Sequence, residues 1–206
     1  MNTIINFDAI ESKDVGSRPY PYFGLEGALN TSHQDSLISD FPAIPKGGSF
    51  PLDSIEVKGS LKSLADEIKS DQFRNIIGNK FDVDLSDKPV VITARGYSRK
   101  TDGQTHTDSK TKLITILIYL NNEWQHPNGR LRILNSNDIN DYHEELSSSF
   151  GQMIAFKVTD NCWHGYLPHE GKRQSLQINY LADSKYRKYH IYRHKLSAFI
   201  KKHFGL

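Results

Sequence analysis

Two textures divide the chain. From Ser60 onward, Leu61, Leu64, Ala65, Ile68, Phe73, Ile76 and Ile77 mark one face of a helix that ends near Gly78, with Ser60 as its cap. From Pro89 the apolar period shortens. VVITA, KLITILIYL, RLRIL, QMIAFKV and QSLQINYL are short runs rich in β-branched residues and separated by turn residues, a barrel or jelly-roll pattern. Ahead of both, Pro19, Pro21, Pro42, Pro45 and Pro51 with Gly47 and Gly48 interrupt the chain too often for long elements, so the first sixty residues predict an irregular wrap. Beyond Asp183, helical spacing returns at Tyr189, Tyr192, Leu196, Phe199 and Ile200. The layout is therefore a single α+β domain with a mainly β core: an irregular and helical cover over 1–88, a strand-rich core over 89–182 and a terminal helix over 183–206.

Composition adds bounds to this picture. At 206 residues and 37% hydrophobic, the chain suffices for one substantial core. The longest apolar run, Leu113 to Leu120, contains Thr115 and Tyr119 and is far shorter than the roughly 20 residues of a membrane-spanning helix, so it reads as a buried strand. The N-terminus has neither a basic flank nor a long apolar stretch, which makes the cytoplasm the expected location. A single cysteine, Cys162, has no internal disulfide partner and is expected to be structural. The net charge of +2 hides an asymmetry: seven basic residues follow Asp183, interleaved with Tyr186, Tyr189 and Tyr192. A nucleic-acid surface and the solvated face of a docked amphipathic helix both fit that composition, and the helical spacing favours the second. Neither nucleic acid nor membrane is an expected partner, and the oligomeric state has no signal.

The polar residues that interrupt the strands carry the chemistry. Two histidines and a carboxylate on one face of an iron(II) ion leave positions open for a co-substrate and dioxygen. In a chain with nine histidines a lone His-X-Asp is weak evidence, and His33-Gln34-Asp35 and the variant His143-Glu144-Glu145 compete with His106-Thr107-Asp108. Context favours His106 and Asp108, which lie between the glycine-bearing loop GYSRKTDGQ and the strongest strand. His164 follows the strand QMIAFKV and a turn at Thr159-Asp160-Asn161, where it can reach a metal from the opposite wall. Arg173 heads the strand RQSLQINYL, whose alternation puts Arg173, Ser175, Gln177 and Asn179 on one face. So polar a face is costly in a dry core and sensible in a pocket for a charged molecule, where a guanidinium grips a carboxylate and Ser175 adds a hydrogen bond. Singly, each residue has an ordinary reading as a packing histidine, a turn aspartate or a surface arginine. The three ligands would also suit zinc in a jelly-roll hydrolase or isomerase, and a jelly roll can persist as a non-catalytic binding module.

Taken in order, HTD, TILIYLNNEW, NGRLRIL and WHGYLPHEGKRQSLQINYL resemble the prolyl 4-hydroxylase-like branch of the 2-oxoglutarate/iron(II) oxygenases, over roughly residues 90 to 181. The resemblance implies a double-stranded β-helix (jelly roll) whose inner wall carries the site, with iron(II), 2-oxoglutarate and dioxygen as cofactor and co-substrates and with succinate and CO2 released. It implies His106, Asp108 and His164 as metal ligands and Arg173, Ser175 and Tyr119 at the distal carboxylate of 2-oxoglutarate. Thr115 and Leu117 then share Tyr119's side of its strand and face the pocket, with Gln177 and Asn179 opposite. The carboxylate of Asp108 favours hydroxylation over halogenation, since halogenating relatives lack it. Gly129-Arg130 departs from the two glycines common in relatives. Arg95 and Tyr97 lie near the expected place for a ligand of the near carboxylate, but neither aligns with the family tyrosine. The prime substrate, a small molecule or a peptide, has no readable motif; Arg99 and Lys100 with Gln177 and Asn179 favour a polar one.

Overall fold

The computed structural model describes residues 3–186. The expected terminal helix falls almost wholly outside that range. Short elements build the cover: α1 (Phe7–Ser12), β1 (Tyr22–Leu25), α2 (Gln34–Asp40) and β2 (Phe50–Pro51). Two helices follow, α3 (Gly59–Ile68) and α4 (Asp71–Phe81), and then β3 (Val90–Ser98), β4 (Lys112–Tyr119), β5 (Leu131–Leu134), β6 (Tyr142–Leu146), β7 (Met153–Lys157), β8 (His164–Gly165) and β9 (Gly171–Leu181).

The apolar face expected as one helix is thus two. Lys69 caps α3 through its backbone, and the Ser70 hydroxyl accepts a hydrogen bond from Phe73 N to start α4. Gly78 lies inside α4, which ends instead at Asp82 in the left-handed conformation (φ 50°). Ser60 is no cap; it sits in the first turn of α3, where its N–H donates to Asp40 Oδ2 at 2.6 Å. The wrap is ordered, as expected, despite its breakers. Although its elements are short, β1 pairs with β7 and β2 with β3, so residues outside 89–182 supply both edges of the main sheet.

Two antiparallel sheets make the jelly roll: a six-stranded sheet in the order β1-β7-β4-β9-β3-β2 and a three-stranded sheet β6-β5-β8. Strict alternation gives the main sheet two different faces. Ile114, Ile116, Ile118, Leu176, Ile178 and Tyr180 point outward into one core with Leu61, Leu64, Ile68, Phe73 and Ile77 of the helices. Each such isoleucine or leucine contributes about 1.5–3 kcal/mol by burial, which anchors the sheet and fixes the register of its other face. That inner face, with the smaller sheet opposite, forms a second cluster containing Tyr119, Leu131, Ile133, Phe156 and Tyr166. Cys162 is buried in it as a free thiol. No helix among the described residues is long and apolar enough to cross a membrane.

Candidate active site

His106 and His164 are joined by two backbone hydrogen bonds, His106 N to His164 O at 3.1 Å and His164 N to His106 O at 3.0 Å, which tie the loop before β4 to β8 of the smaller sheet. Asp108, two residues on, brings its carboxylate beside both rings, so that one donor atom from each of the three residues lies within 4.8 Å of the others. Both imidazoles are pinned alike. His106 Nδ1 is 2.9 Å from Gln104 O and His164 Nδ1 is 2.8 Å from Cys162 O. A carbonyl only accepts, so each Nδ1 carries the proton and each Nε2 keeps its lone pair free for a metal. His33 and His143, the rival candidates, belong to a short 3₁₀ turn and to β6, away from this cluster.

The charges suit a cation. Burial pushes the His164 imidazole down to about 4, against the pull of Asp108, so it is neutral near pH 7. Burial opposes ionisation of Asp108 too, but the charges of Lys112 and His164 and hydrogen bonds from Lys112 and Thr115 hold its carboxyl well below the usual range. Lys112 Nζ donates to Asp108 Oδ1 at 2.7 Å, and the Thr115 hydroxyl donates to Oδ2.

A cavity of about 660 Å³ opens beside the three residues, between the sheets. The strand register arranges its floor in rows: Tyr119, Ser175 and Arg95 are cross-strand neighbours, and Leu117 and Gln177 pair in the next row. Arg173 is 4% exposed. Its Nε donates to Gly129 O at 2.8 Å and its Nη2 to Tyr119 Oη at 2.9 Å, while the Tyr119 and Tyr166 rings flank its guanidinium at 4.9 and 4.1 Å. Among the described residues no carboxylate pairs with Arg173. A buried guanidinium without a counter-ion is costly, and the buried Ser175 hydroxyl beside it has no hydrogen-bond partner either. Such a donor set fits the carboxylate of a 2-oxo acid.

Of the residues expected to face the pocket, Thr115, Leu117, Tyr119, Arg173, Ser175 and Gln177 line the cavity and Asn179 does not. Asn179 is one row deeper, buried, with its side chain 3.1 Å from Thr115 Oγ1. Arg99 and Lys100 do not line the cavity either, because Arg99 pairs with Asp102 and Lys100 with Glu170. Arg130 turns outward, its Nε donating to His126 O at 3.3 Å, while Gly129 has φ 81° and a Cβ there would meet the Trp124 ring at 2.7 Å. The rings of Trp124, His126 and His169 meet one another edge-on or tilted, as packing residues.

The sequence reading passes over the cavity residues Lys112 and Tyr166 and names Arg95 only as lying near the expected place of the near carboxylate. Lys112 belongs by alternation to the outward face of β4, but a bulge between Lys112 and Ile114 turns it inward. Arg95 reaches the mouth from β3, its Nε donating to Ser49 Oγ at 2.8 Å. Tyr166, two residues past His164, has its hydroxyl 3.0 Å from that of Ser98. Only Arg95 gave a signal, as a charged residue interrupting an apolar strand.

Residues 91–181 match the model of the 2OG-Fe(II) oxygenase superfamily. No protein of curated function matches the chain in sequence. Among solved structures, the chain resembles a prolyl-4-hydroxylase from Pseudomonas putida, at 18% identity and a TM-score of 0.57, over 79% of this chain and 93% of that one. It resembles an oxidoreductase of the 2OG-Fe(II) oxygenase family from Burkholderia pseudomallei, at 11% identity and a TM-score of 0.54, over 78% and 84% of the two chains. A viral collagen prolyl hydroxylase from Paramecium bursaria Chlorella virus-1, solved as its 2OG complex, aligns at 14% identity and a TM-score of 0.51, over 78% of this chain and 96% of that one. At these identities the likeness is one of fold.

Proposed function

Because residues 91–181 belong to the 2OG-Fe(II) oxygenase superfamily, we propose that this chain hydroxylates an unactivated carbon of a polar small molecule or peptide. His106, Asp108 and His164 would hold the iron, and Arg173 with Tyr119 and Ser175 would hold the distal carboxylate of 2-oxoglutarate. When bound, iron(II) with 2-oxoglutarate and dioxygen supplies the oxidising power, and succinate and CO2 leave. The chain's own part is positioning. The two Nδ1–carbonyl bonds fix both imidazoles with Nε2 inward, Lys112 and Thr115 orient the Asp108 carboxylate, and the Arg173 guanidinium fixes the co-substrate's far end. Leu117 and Leu131 give the cavity an apolar patch that limits water beside the reacting centre.

The observation that carries this reading is Arg173, buried and without a carboxylate partner among the described residues, lining the same cavity as the His106–Asp108–His164 cluster. The test is anaerobic. Iron(II)-loaded protein mixed with 2-oxoglutarate is expected to develop the weak visible absorption of a chelated 2-oxo acid, lost in His106→Ala and shifted to higher 2-oxoglutarate in Arg173→Ala. No absorption from folded wild-type protein at saturating iron and 2-oxoglutarate would reject the reading.

A further inference from the structure

The cavity holds more positive charge than iron and 2-oxoglutarate use. If the proposed function holds, the charges of iron(II) and the 2-oxoglutarate dianion offset one another, and Arg173 faces the distal carboxylate of the dianion. Arg95 and Lys112 remain on the wall. Lys112 is committed to Asp108 at 2.7 Å. The remaining wall carboxylate, Asp102, is committed as well: Arg99 Nη2 donates to its Oδ1 at 2.9 Å and Arg99 N to its Oδ2 at 3.0 Å. Arg95 adds its charge to the field that keeps the Asp102 carboxyl below its usual range, but among the described residues it makes no ion pair or hydrogen bond with a carboxylate. Its only hydrogen bond among the described residues is Nε to Ser49 Oγ, which holds the side chain at the mouth and leaves both terminal nitrogens without a protein acceptor. A half-buried guanidinium fixed at one nitrogen and open at two is built for a planar or tetrahedral anion.

We infer that the prime substrate is anionic, and that Arg95 with the neighbouring Ser49 hydroxyl receives its carboxylate or phosphate group at the cavity mouth. This seat adjoins that of 2-oxoglutarate, since Arg95 is the cross-strand neighbour of Ser175, but the Arg95 side chain turns the other way, to Ser49. Arg95 lies on β3 and leans toward Ser49 beside β2, at the edge of the sheet, whereas Arg173 lies one strand inward on β9 and Tyr119 two strands inward on β4. A substrate anchored at the edge by its anionic end would extend past Gln177 and Thr115 toward the histidine–aspartate cluster, with its reacting carbon remote from its charge.

The test uses sulfate as the probe and the full chain loaded with zinc(II), a diamagnetic stand-in for iron, and 2-oxoglutarate. The arginine Nε–Hε resonance that Arg95→Gln removes belongs to Arg95. It is expected to shift saturably with a dissociation constant of about 1–10 mM, with or without 2-oxoglutarate, together with the Ser49 amide. Arg95→Gln is expected to abolish the Ser49 shift and Arg95→Lys, which keeps the charge, to retain it. In Arg95→Gln iron protein, the 2-oxoglutarate needed for the visible absorption should stay within about twofold of wild type. No saturable shift in the wild type would overturn the inference. So would a rise of about tenfold or more in that 2-oxoglutarate requirement, which would assign Arg95 to the near carboxylate of the co-substrate. If the wild type shows the sulfate shift but no visible absorption, the oxygenase reading fails while the anion seat stands.

Discussion

Lys112 Nζ lies 2.7 Å from Asp108 Oδ1, and the two side chains are only 8% and 6% exposed. Until a metal arrives, this lysine is the chief neutraliser of a buried carboxylate. Lys112→Met is therefore expected to cost the metal-free protein about 3 kcal/mol in urea unfolding, because it strands the charge on Asp108. A divalent metal supplies a positive charge at the same carboxylate, so metal should restore more stability to the variant than to the wild type. Equal losses with and without metal would show that Lys112 acts only as packing.

Acid should unfold the metal-free protein in two stages. Folding lowers the His164 imidazole from its ordinary 6.5 to about 4, so the unfolded chain binds this proton more readily. Stability from His164 is full above about pH 6.5 and is lost as the pH falls toward 4, a change of about 3 kcal/mol. Asp108 is also depressed, and its contribution persists down to its ordinary 3.8 and is lost only below that. Urea melts at pH 7 and pH 4.5 check the first stage: His164→Asn should flatten the difference between them, and an undiminished difference would assign the acid lability elsewhere.

Arg173→Lys separates charge from shape. Lysine keeps the positive charge but cannot donate at once toward Gly129 O, Tyr119 Oη and a ligand carboxylate, as the guanidinium fork is placed to do. The 2-oxoglutarate requirement of the iron(II) chelate absorption is expected to rise about 10-fold in Arg173→Lys and about 100-fold in Arg173→Met, corresponding to one and two charge-assisted hydrogen bonds. Equal effects would mean that the fork geometry contributes nothing.

How much of this was legible in the sequence depends on the range of the forces involved. Alternation along β9 put Arg173, Ser175 and Gln177 on one wall, though Asn179 with them, and once the resemblance had placed Tyr119 there, alternation along β4 added Thr115 and Leu117, because each strand has a strongly apolar opposite face that fixes its register. The same rule failed at Lys112, where a bulge reverses the parity. It was also blind to β1 and β2, of four and two residues, which exist only through pairing with β7 and β3 far along the chain. Strand β6, YHEEL, is too polar and exposed to announce itself.

The split of the supporting helix is a local effect and can be tested locally. Ser70 Oγ accepts from Phe73 N at 3.2 Å as the N-cap of α4, whereas among the described residues the Ser60 hydroxyl bonds only the exposed Ser36 hydroxyl, at 2.9 Å. Thermal or urea unfolding should show Ser70→Ala destabilised by about 1 kcal/mol and Ser60→Ala by under about 0.5 kcal/mol. The reverse order would restore the single helix capped at Ser60.

Tyr166 offers a way to ask whether the site depends on how Arg173 is held as well as on its charge. The Tyr166 ring lies 4.1 Å from the guanidinium carbon, and its hydroxyl is tied to Ser98 at 3.0 Å, with Tyr166 N donating to Gly103 O at 2.9 Å behind it. The ring supports the cation and the hydroxyl fixes the ring. Tyr166→Phe keeps the aromatic face, so the 2-oxoglutarate requirement should rise by no more than about threefold, with a modest loss of stability from the stranded Ser98 hydroxyl. Tyr166→Leu removes the face and frees the guanidinium to tilt away from Tyr119. It is expected to raise the requirement about 5- to 30-fold, the worth of one partly desolvated cation–π contact, without changing the number of metal ions bound. Tyr166→Leu matching Tyr166→Phe would make the ring a filler. A Tyr166→Phe defect as deep as that of Tyr166→Leu would instead assign the role to the hydroxyl, as a direct ligand of the co-substrate.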